Sequence, residues 1–235
     1  MSTTAIRGGA IAVVALSLAL AGCGGGGKQE AKPSASISTS SAAASKPSTS
    51  GAAPGTAEKS PGTNPTIASY IQQNGITETP VHRGDPGSPA ITLPVPPGWQ
   101  NAGADAPDWA YGALVYTGPE AAQYAPSIVA IVSKLTGNVD RQKILELAPG
   151  ELNNLADYKP LNDGAGSTLG GFDAYQLGGT WVDNGQTKIV AQKTVVIPGG
   201  DGLYVLQLNA DGQENQKDIV AAATNVIDDQ TTITT

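Results

Sequence analysis

The sequence predicts an α+β fold in which an antiparallel β-sheet is packed by helices, preceded by a signal peptide and a disordered tether. Three observations lead to this prediction. The first quarter of the chain is an apolar leader followed by polar low-complexity sequence. The remainder alternates apolar segments with tight-turn residues, and helical patterns occur before, amid and after those segments. Helices in these places are suited to covering a mostly antiparallel sheet.

The leader combines a positive residue with a short apolar run. Arg7 precedes the stretch from Ile11 to Ala21, which is apolar apart from Ser17. About a dozen apolar residues suit a secretory signal and fall short of the ~20 that a transmembrane helix needs. We therefore expect residues 1–22 to be a cleaved signal peptide.

The only cysteine of the chain, Cys23, ends the motif LAGC that begins at Leu20. This motif resembles the bacterial lipobox, in which the cysteine sulfur receives a diacylglyceryl group and the cysteine becomes the mature N-terminus. The resemblance implies that Cys23 is lipidated and that its acyl chains anchor the protein to the membrane, at ~0.8 kcal/mol per buried CH2. A single cysteine also excludes internal disulfides and cysteine-based zinc clusters.

Residues 23–64 are rich in Ser, Pro, Ala and Gly, with Ile37 as their only large apolar residue. Such a segment buries too little surface to offset its ordering entropy, so we expect a disordered tether. Residues 65–235 then form a single α+β binding domain. This domain holds 8 basic and 18 acidic residues. Because such a charge balance repels phosphate backbones, we expect no nucleic-acid partner.

Alternating apolar residues predict the strands of the domain. After a short helix from Pro65 to Gln73, the strand segments are ITLPVPPGWQ (91–100), DWAYGALVYTG (108–118) and SIVAIVSKL (127–135). The last is nearly continuous in apolar residues, as in a central strand covered on both faces. The meander FDAYQLGGTWV, TKIVAQKTVVI and GLYVLQLNA follows, joined by Asp183-Asn184-Gly185 and by residues 199–202, which are tight-turn sequences.

Two further helices are predicted. Residues 138–158 have helical spacing, with Asn138 or Asp140 able to cap the start and Pro149 expected to kink or split the helix. A final helix is expected from Glu214 to Asp228, and TTITT (231–235) can add an edge strand. The face of the final helix is expected to comprise Ile219, Ala222, Ala223, Val226 and Ile227.

The residues do not form a recognisable hydrolase site. The only histidine, His82, lies beside Arg83 and Asp85 in a Pro- and Gly-rich segment, and no Gly-x-Ser-x-Gly elbow is present. We therefore expect His82 to be a surface loop residue and the protein to be non-enzymatic. Glycosidase chemistry requires a pair of carboxylates, and it is disfavoured here because sugar-stacking aromatics are few. The two candidate pairs are Asp105 with Asp108, and Asp228 with Asp229.

Glycine-rich segments are better explained by turns than by cofactors. NDGAGSTLGG (162–171) lacks the Lys-Ser/Thr of a phosphate-binding loop and continues as a strand, so a bulged strand or turn is expected. DNGQ (183–186) and NADGQEN (209–215) complete no calcium loop. We expect neither a metal nor a cofactor.

Eleven aromatic residues leave two alternatives open. Most are expected in the core, but Tyr and Trp also suit the mouth of a pocket for an amphiphile. We hypothesise that the domain holds an acyl chain or a glycolipid between its sheet and a helix. The aromatic residues near the sheet are Trp109, Tyr111, Tyr116, Phe172, Tyr175, Trp181 and Tyr204.

The leader, the tether, the strand ITLPVPPGWQ, the helix after SIVAIVSKLTGNVD and the hairpin GGFDAYQLGGTWVDNGQ together resemble the LpqN/LpqT lipoproteins of mycobacteria. The resemblance implies a Mog1p/PsbP-like domain with a characteristic turn at Pro97, Gly98 and Trp99. It also implies an exported, lipid-anchored envelope protein that binds envelope lipids or other proteins. The family has no established catalytic motif, so the resemblance transfers no catalytic residue.

We therefore expect a non-enzymatic lipoprotein on the outer face of the cell membrane or further out in the envelope, partly released in one alternative. Its expected ligand is an amphiphile of acyl-chain, glycolipid or mycolate type, and its expected task is envelope lipid transport or assembly. The alternative is a protein-interaction module with an envelope or host protein as partner. A hydrolase is the least favoured possibility, since it requires His82 to meet a buried acid and a serine.

Overall fold

A computed structural model describes residues 62–235. The predicted signal peptide, the predicted lipidation site Cys23 and all but the last three residues of the predicted tether lie outside the described residues. Asn64 hydrogen-bonds to the domain, since its backbone nitrogen donates to Asn154 Oδ1 at 3.0 Å. Asn154 Nδ2 in turn donates to the Asn64 carbonyl at 2.9 Å. This pair of hydrogen bonds fastens the start of the domain.

One antiparallel sheet organises the domain. Its strand order is β3-β4-β5-β10-β9-β8-β6, with β1 beside β5 and β7 beside β8. A separate ribbon pairs β11 with β2. The strands are β1 (Thr77–Pro80), β2 (Ala90–Thr92), β3 (Trp99–Asn101), β4 (Gly112–Tyr116), β5 (Ser127–Thr136), β6 (Lys159–Pro160), β7 (Ala165–Leu169), β8 (Phe172–Asp183), β9 (Gln186–Gly199), β10 (Gly202–Gln213) and β11 (Thr232–Thr234).

The predicted meander forms the long strands β8, β9 and β10. The β8–β9 turn places Asn184 and Gly185 at φ of 49° and 78°, the positive values that a tight hairpin turn requires. The predicted central strand is β5, which pairs with β10 along one edge and with β4 and β1 along the other. The Pro-Gly-Trp turn is also present: Gly98 has φ of 80° and Trp99 N donates to the Pro96 carbonyl at 3.0 Å.

Four helices accompany the sheet in the described part of the chain: α1 (Ile67–Gln73), α2 (Arg141–Leu147), α3 (Gly150–Asn153) and α4 (Lys217–Gln230). Asp140 caps α2, since its Oδ1 accepts from Gln142 N at 2.8 Å and from Lys143 N at 3.3 Å. Pro149 separates α2 from α3, so the alternative in which it splits the helix is confirmed. Among the described residues, no helix is long and apolar enough to cross a membrane.

Successive side chains of a strand point to opposite faces of the sheet, so a strand that is apolar throughout needs cover on both faces. The helices provide this cover, since they lie on opposite faces of the sheet. On β9, Val195 and Ile197 pack in the cluster that contains α4 and the β2–β11 ribbon. Val196, between them, packs in the cluster that contains α1 and α2. The predicted α+β fold, with an antiparallel sheet packed by helices, is confirmed.

Some local predictions are corrected. The buried stripe of α4 is Val220, Ala223 and Ile227, whereas Ala222 is exposed. The helix is rotated toward Val220 because β10 presents Gly212 there, where an added Cβ would lie 3.1 Å from Val220 Cγ2. The predicted edge strand TTITT exists as β11 but pairs with β2 outside the main sheet. NDGAGSTLGG contains strand β7, as expected of a strand and turn.

Candidate functional site

A cavity of about 540 Å³ lies between α4 and the sheet. Volumes of about 300–1,000 Å³ are typical of sites for small molecules. Strands β8, β9, β10 and β5 contribute its floor, α4 one wall, and the segment between β6 and β7 the opposite rim. It is therefore in the position proposed from the sequence, between the sheet and a helix.

Small residues on adjacent strands create the floor. Gly178 of β8 is in register with Ala191 of β9, and Ala191 is in register with Ala210 of β10. All three line the cavity. Because none carries a side chain beyond Cβ, space remains beneath α4. A Cβ at position 178 would already lie 3.1 Å from the Val190 carbonyl oxygen, so even alanine is tight there.

Aliphatic side chains complete the apolar lining. They come from both the sheet and the inner face of α4, and most are nearly inaccessible to solvent. They are Ile128, Ile189, Leu208, Val220 and Ile227. These five side chains are uncharged and apolar, so this part of the lining suits a hydrocarbon chain, for which burial contributes ~0.8 kcal/mol per CH2.

Polar residues of the lining lie on either side of the row of small residues and on α4. Lys193 of β9 and Asp228 of α4 form an ion pair with 2.7 Å between Nζ and Oδ1. Gln176 is in register with Lys193 and also lines the cavity. The remaining polar lining residues are Asn162, Gln192, Lys217, Asp218, Thr224 and Asn225. The charged lining residues are two lysines and two aspartates, so the cavity lining has no formal net charge.

The rim opposite α4 includes an exposed leucine. Leu161 is 62% exposed although it lines the cavity, and its backbone nitrogen donates to the Gly178 carbonyl at 2.9 Å. Three residues on, Gly164 adopts φ of 73°, and its nitrogen donates to Asn162 Oδ1 at 3.0 Å. The chain therefore turns sharply at the rim and presents an apolar side chain at the mouth.

The aromatic residues take the core positions expected for most of them, and the alternative position at a pocket mouth does not apply to this cavity. None of the seven aromatics singled out from the sequence lines it. Tyr111 and Tyr204 are buried in the core, and Trp109, Tyr116, Phe172, Tyr175 and Trp181 pack partly buried against hydrophobic clusters. The physical reason is that these aromatics fill the space in which they lie, whereas the cavity exists where side chains are small.

The opposite face of the sheet carries a buried polar layer that the sequence did not suggest. Glu151 of α3 lies over it, with Gln207 Nε2 at 3.5 Å from its Oε2. Gln192 Nε2 donates to Asn209 Oδ1 at 2.9 Å, and Thr194 is fully buried. Burial raises the pKa of the Glu151 carboxyl to about 7, opposed in part by hydrogen bonds from Gln207 and Gln192.

A second partly buried acid lies on the same face, near the end of the sheet. Asp211 accepts a hydrogen bond from the Tyr124 hydroxyl, and burial raises its pKa to about 7. Lys188, which is buried, lies 4.6 Å from the centre of the Tyr124 ring and pairs with Asp183 at 2.9 Å. These contacts join loop residue Tyr124 to strands β8, β9 and β10.

His82 is a surface loop residue, as expected. Its side chain is 53% exposed, and its Nδ1 lies 3.7 Å from Asp85, whose side chain is also exposed. Arg83 instead stacks its guanidinium 5.1 Å from the Tyr111 ring centre and donates to the Ile91 carbonyl at 3.3 Å. The buried acid that a hydrolase would require is therefore not the neighbour of His82.

The acidic residues of the two candidate glycosidase pairs lie in different surroundings. Asp105 and Asp108 lie in the loop before β4, whereas Asp228 pairs with Lys193 and Asp229 is exposed at the end of α4. In residues 62–235, no group of three or more His, Cys, Asp or Glu side chains is arranged to hold a metal ion. DNGQ forms the β8–β9 turn, and NADGQEN continues β10 into a short helical turn.

The small residues of the floor were not identified from the sequence. Their signal was available in the turn lengths: two residues separate β8 from β9, and two separate β9 from β10. A two-residue turn fixes the register of a hairpin. With that register, Gly178, Ala191 and Ala210 fall into one row.

Comparison with known proteins places the chain in a family. The family described as "Probable lipoprotein LpqN" matches residues 63–234. Lipoprotein LpqN of Mycobacterium tuberculosis (strain ATCC 25618 / H37Rv) is 54% identical over 175 residues, which cover 74% of this chain and 75% of that protein.

The crystal structure of one relative agrees with this placement. A crystal structure of LpqN, involved in cell envelope biogenesis of Mycobacterium tuberculosis, has a TM-score of 0.71 and 53% identity, covering 74% of this chain and 100% of that one. The Ran-binding protein Mog1p of Saccharomyces cerevisiae has a TM-score of 0.38 and 16% identity over 66% of this chain and 90% of that one. The sequence match over most of the domain shows that the chain belongs to the LpqN lipoprotein family.

Proposed function

We propose that this protein is a non-enzymatic envelope lipoprotein that holds the hydrocarbon chain of an amphiphile in the cavity beneath α4 and takes part in envelope lipid transport or assembly. The observation that carries the proposal is the cavity itself, with small and aliphatic residues in its floor and polar residues around it. An amphiphile has the same division between an apolar chain and a polar head.

The proposed anchor supports this function. Lipidation of Cys23 would hold the domain to the outer face of the membrane, and residues 23–64 would serve as a tether to the folded part. A domain held near the membrane meets amphiphiles at high local concentration. The relative LpqN of Mycobacterium tuberculosis is involved in cell envelope biogenesis. Binding of an amphiphile by this protein would be consistent with a part in envelope biogenesis.

The protein-interaction alternative has less support. An adaptor surface would present a contiguous exposed apolar patch of a few hundred Å². Among residues 62–235, the exposed large hydrophobic side chains are Val95 and Leu161. Leu161 belongs to the rim of the cavity, so only Val95 remains for a separate apolar surface.

The test is direct binding of amphiphiles by the full chain. Alkyl maltosides, titrated calorimetrically below their micellar concentration, should bind saturably with one molecule per protein. Ala191→Leu should weaken this binding at least tenfold, because the added side chain occupies the floor. Ala222→Leu adds the same atoms on the exposed side of α4, away from the cavity lining, and should leave binding unchanged.

Absence of saturable binding by the folded wild-type protein would refute the proposal. Equal loss of binding in both leucine variants would place the binding site elsewhere. A solvent extract of protein purified from its own envelope provides a second measurement. Mass spectrometry of that extract should find stoichiometric lipid in the wild type and substoichiometric lipid in Ala191→Leu.

A further inference from the structure

The row of small residues continues, in register, across four neighbouring strands. Gly178 pairs with Ala191, Ala191 with Ala210, and Ala210 with Ile128 of β5. Neighbouring strands are ~4.8 Å apart, so the row spans about 14 Å. Ile128 is its first large side chain, and it lines the cavity.

Burial along this row shows which end is open. Gly178 and Ala191 are partly exposed, whereas Ala210 is 2% exposed and Ile128 only 1%. Exposure therefore falls from β8 toward β5. The open end of the row is therefore at the β8 side, near the rim that includes Leu161, and its most buried end is at Ile128.

Larger groups close the cavity along the strand direction. Two residues from Ala191 on one side, Lys193 pairs with Asp228 of α4 at 2.7 Å. Two residues away on the other side is Ile189, and Val220 of α4 packs down over Gly212, which is in register with Ile189. A hydrocarbon chain inside the cavity therefore has room to extend across the strands, over the small residues.

We propose that Ile128 is the end stop of this path and sets the length of hydrocarbon chain that the protein binds. The inference rests on the proposed function and adds to it a specificity-determining residue and a ligand orientation. The terminal methyl of a single alkyl chain meets Ile128, and the polar head remains at the β8 side beside the Leu161 rim. Ala210, one strand before Ile128, narrows the last part of the path.

With an end stop, affinity rises with the length of the alkyl chain up to one length and then levels off. We call that length the break. Each methylene added within the cavity strengthens binding about fourfold, by the usual hydrophobic contribution. Once the terminal methyl touches Ile128, further methylenes remain at the mouth and add little. The break should therefore move when the side chain at the end of the row changes size.

The experiment measures dissociation constants of the full chain for alkyl maltosides from octyl to tetradecyl, below their micellar concentrations. Ile128→Val should move the break to a longer chain by about one methylene, and Ile128→Ala by about two or three. Ala210→Val should move it to a shorter chain. These shifts have opposite signs, which a general loss of stability would not produce.

Val129→Ala is the matched control. Val129 is the next residue of β5, is 1% exposed like Ile128, and packs in a separate cluster with Ala102 and Ala113. Its truncation should weaken folding comparably and leave the break in place. If Ile128→Ala does not fold, Ile128→Val and Ala210→Val still test the sign of the shift.

The outcomes separate the two proposals. A break that moves with Ile128 and Ala210 but not with Val129 supports the end stop. A wild-type break that stays fixed in the Ile128 and Ala210 variants overturns it, while the proposed function stands. If no maltoside binds saturably to the folded wild type, both the end stop and the proposed function are wrong.

Discussion

Lys193 of β9 donates from Nζ to Asp228 Oδ1 of α4 at 2.7 Å, and this contact closes one end of the cavity. The lysine side chain is 9% exposed and the aspartate side chain 33%. The pair therefore links helix to sheet at the place where small residues leave the space between them unfilled. It holds α4 over the cavity without occupying the floor.

Asp228→Asn should lower the free energy of unfolding by about 1–2 kcal/mol. The substitution leaves the buried ammonium of Lys193 without a counter-charge, but the partial exposure of Asp228 moderates the cost. Urea unfolding measures the difference. Asp229→Asn, at the exposed neighbouring position, should change stability by less than ~0.5 kcal/mol. Equal effects of the two substitutions would show that the ion pair contributes nothing specific.

Leu161→Ser should weaken amphiphile binding several-fold while leaving stability nearly unchanged. The leucine is already 62% exposed, so folding gains little from it, but a chain crossing the rim would cover its side chain. Val95→Ser is the matched control, because Val95 is the other exposed large aliphatic of the described residues and does not line the cavity. Calorimetric titration compares the two variants. Weaker binding in the Val95 variant alone would contradict the position of the mouth.

The sequence predicted those features that depend on local patterns. Asn184-Gly185 determines the β8–β9 hairpin, Asp140 caps α2, and Pro149 ends it, because each acts through its own backbone neighbourhood. The α+β architecture followed from the order of such elements. Sequence patterns were less informative where the structure depends on which residues meet across strands.

The face of α4 shows the limit of helical periodicity. Ala222 and Val220 are both apolar and two positions apart, so periodicity alone did not decide which is buried. Gly212 on β10 decides it, since the missing side chain accepts Val220. The partly buried position of Glu151 likewise depends on how the short helix α3 lies on Gln192 and Gln207, which are distant in sequence.

Stability should depend on pH through Glu151. Its pKa is raised by burial from the ordinary 4.5 to about 7, so between these values the folded state binds more protons than the unfolded state. Stability from this group is therefore complete below pH ~4.5 and is lost as pH rises through 7. At 1.36 kcal/mol per pKa unit, the loss is on the order of 3 kcal/mol.

Glu151→Gln removes this titration and keeps the shape of the side chain. The variant should be more stable than wild type at pH 8 and similar to it at pH 5, as measured by urea unfolding at both pH values. Asp211, whose pKa is also raised by burial, contributes in the same direction to both proteins and cancels in the comparison. A Glu151→Gln protein that is destabilised equally at both pH values would show that the carboxylate is stabilised when ionised.

Cys23→Ala should release the protein from the membrane fraction. In the proposed lipoprotein, two or three acyl chains on this residue provide the anchor, and each buried CH2 contributes ~0.8 kcal/mol. Without the thiol no thioether can form, so the variant carries none of these acyl chains. Fractionation by immunoblot, with mass spectrometry of the N-terminal peptide, measures the effect. Ser40→Ala, within the predicted tether, should leave the protein in the membrane fraction. Membrane retention of Cys23→Ala with an unmodified N-terminal peptide in the wild type would exclude the lipid anchor.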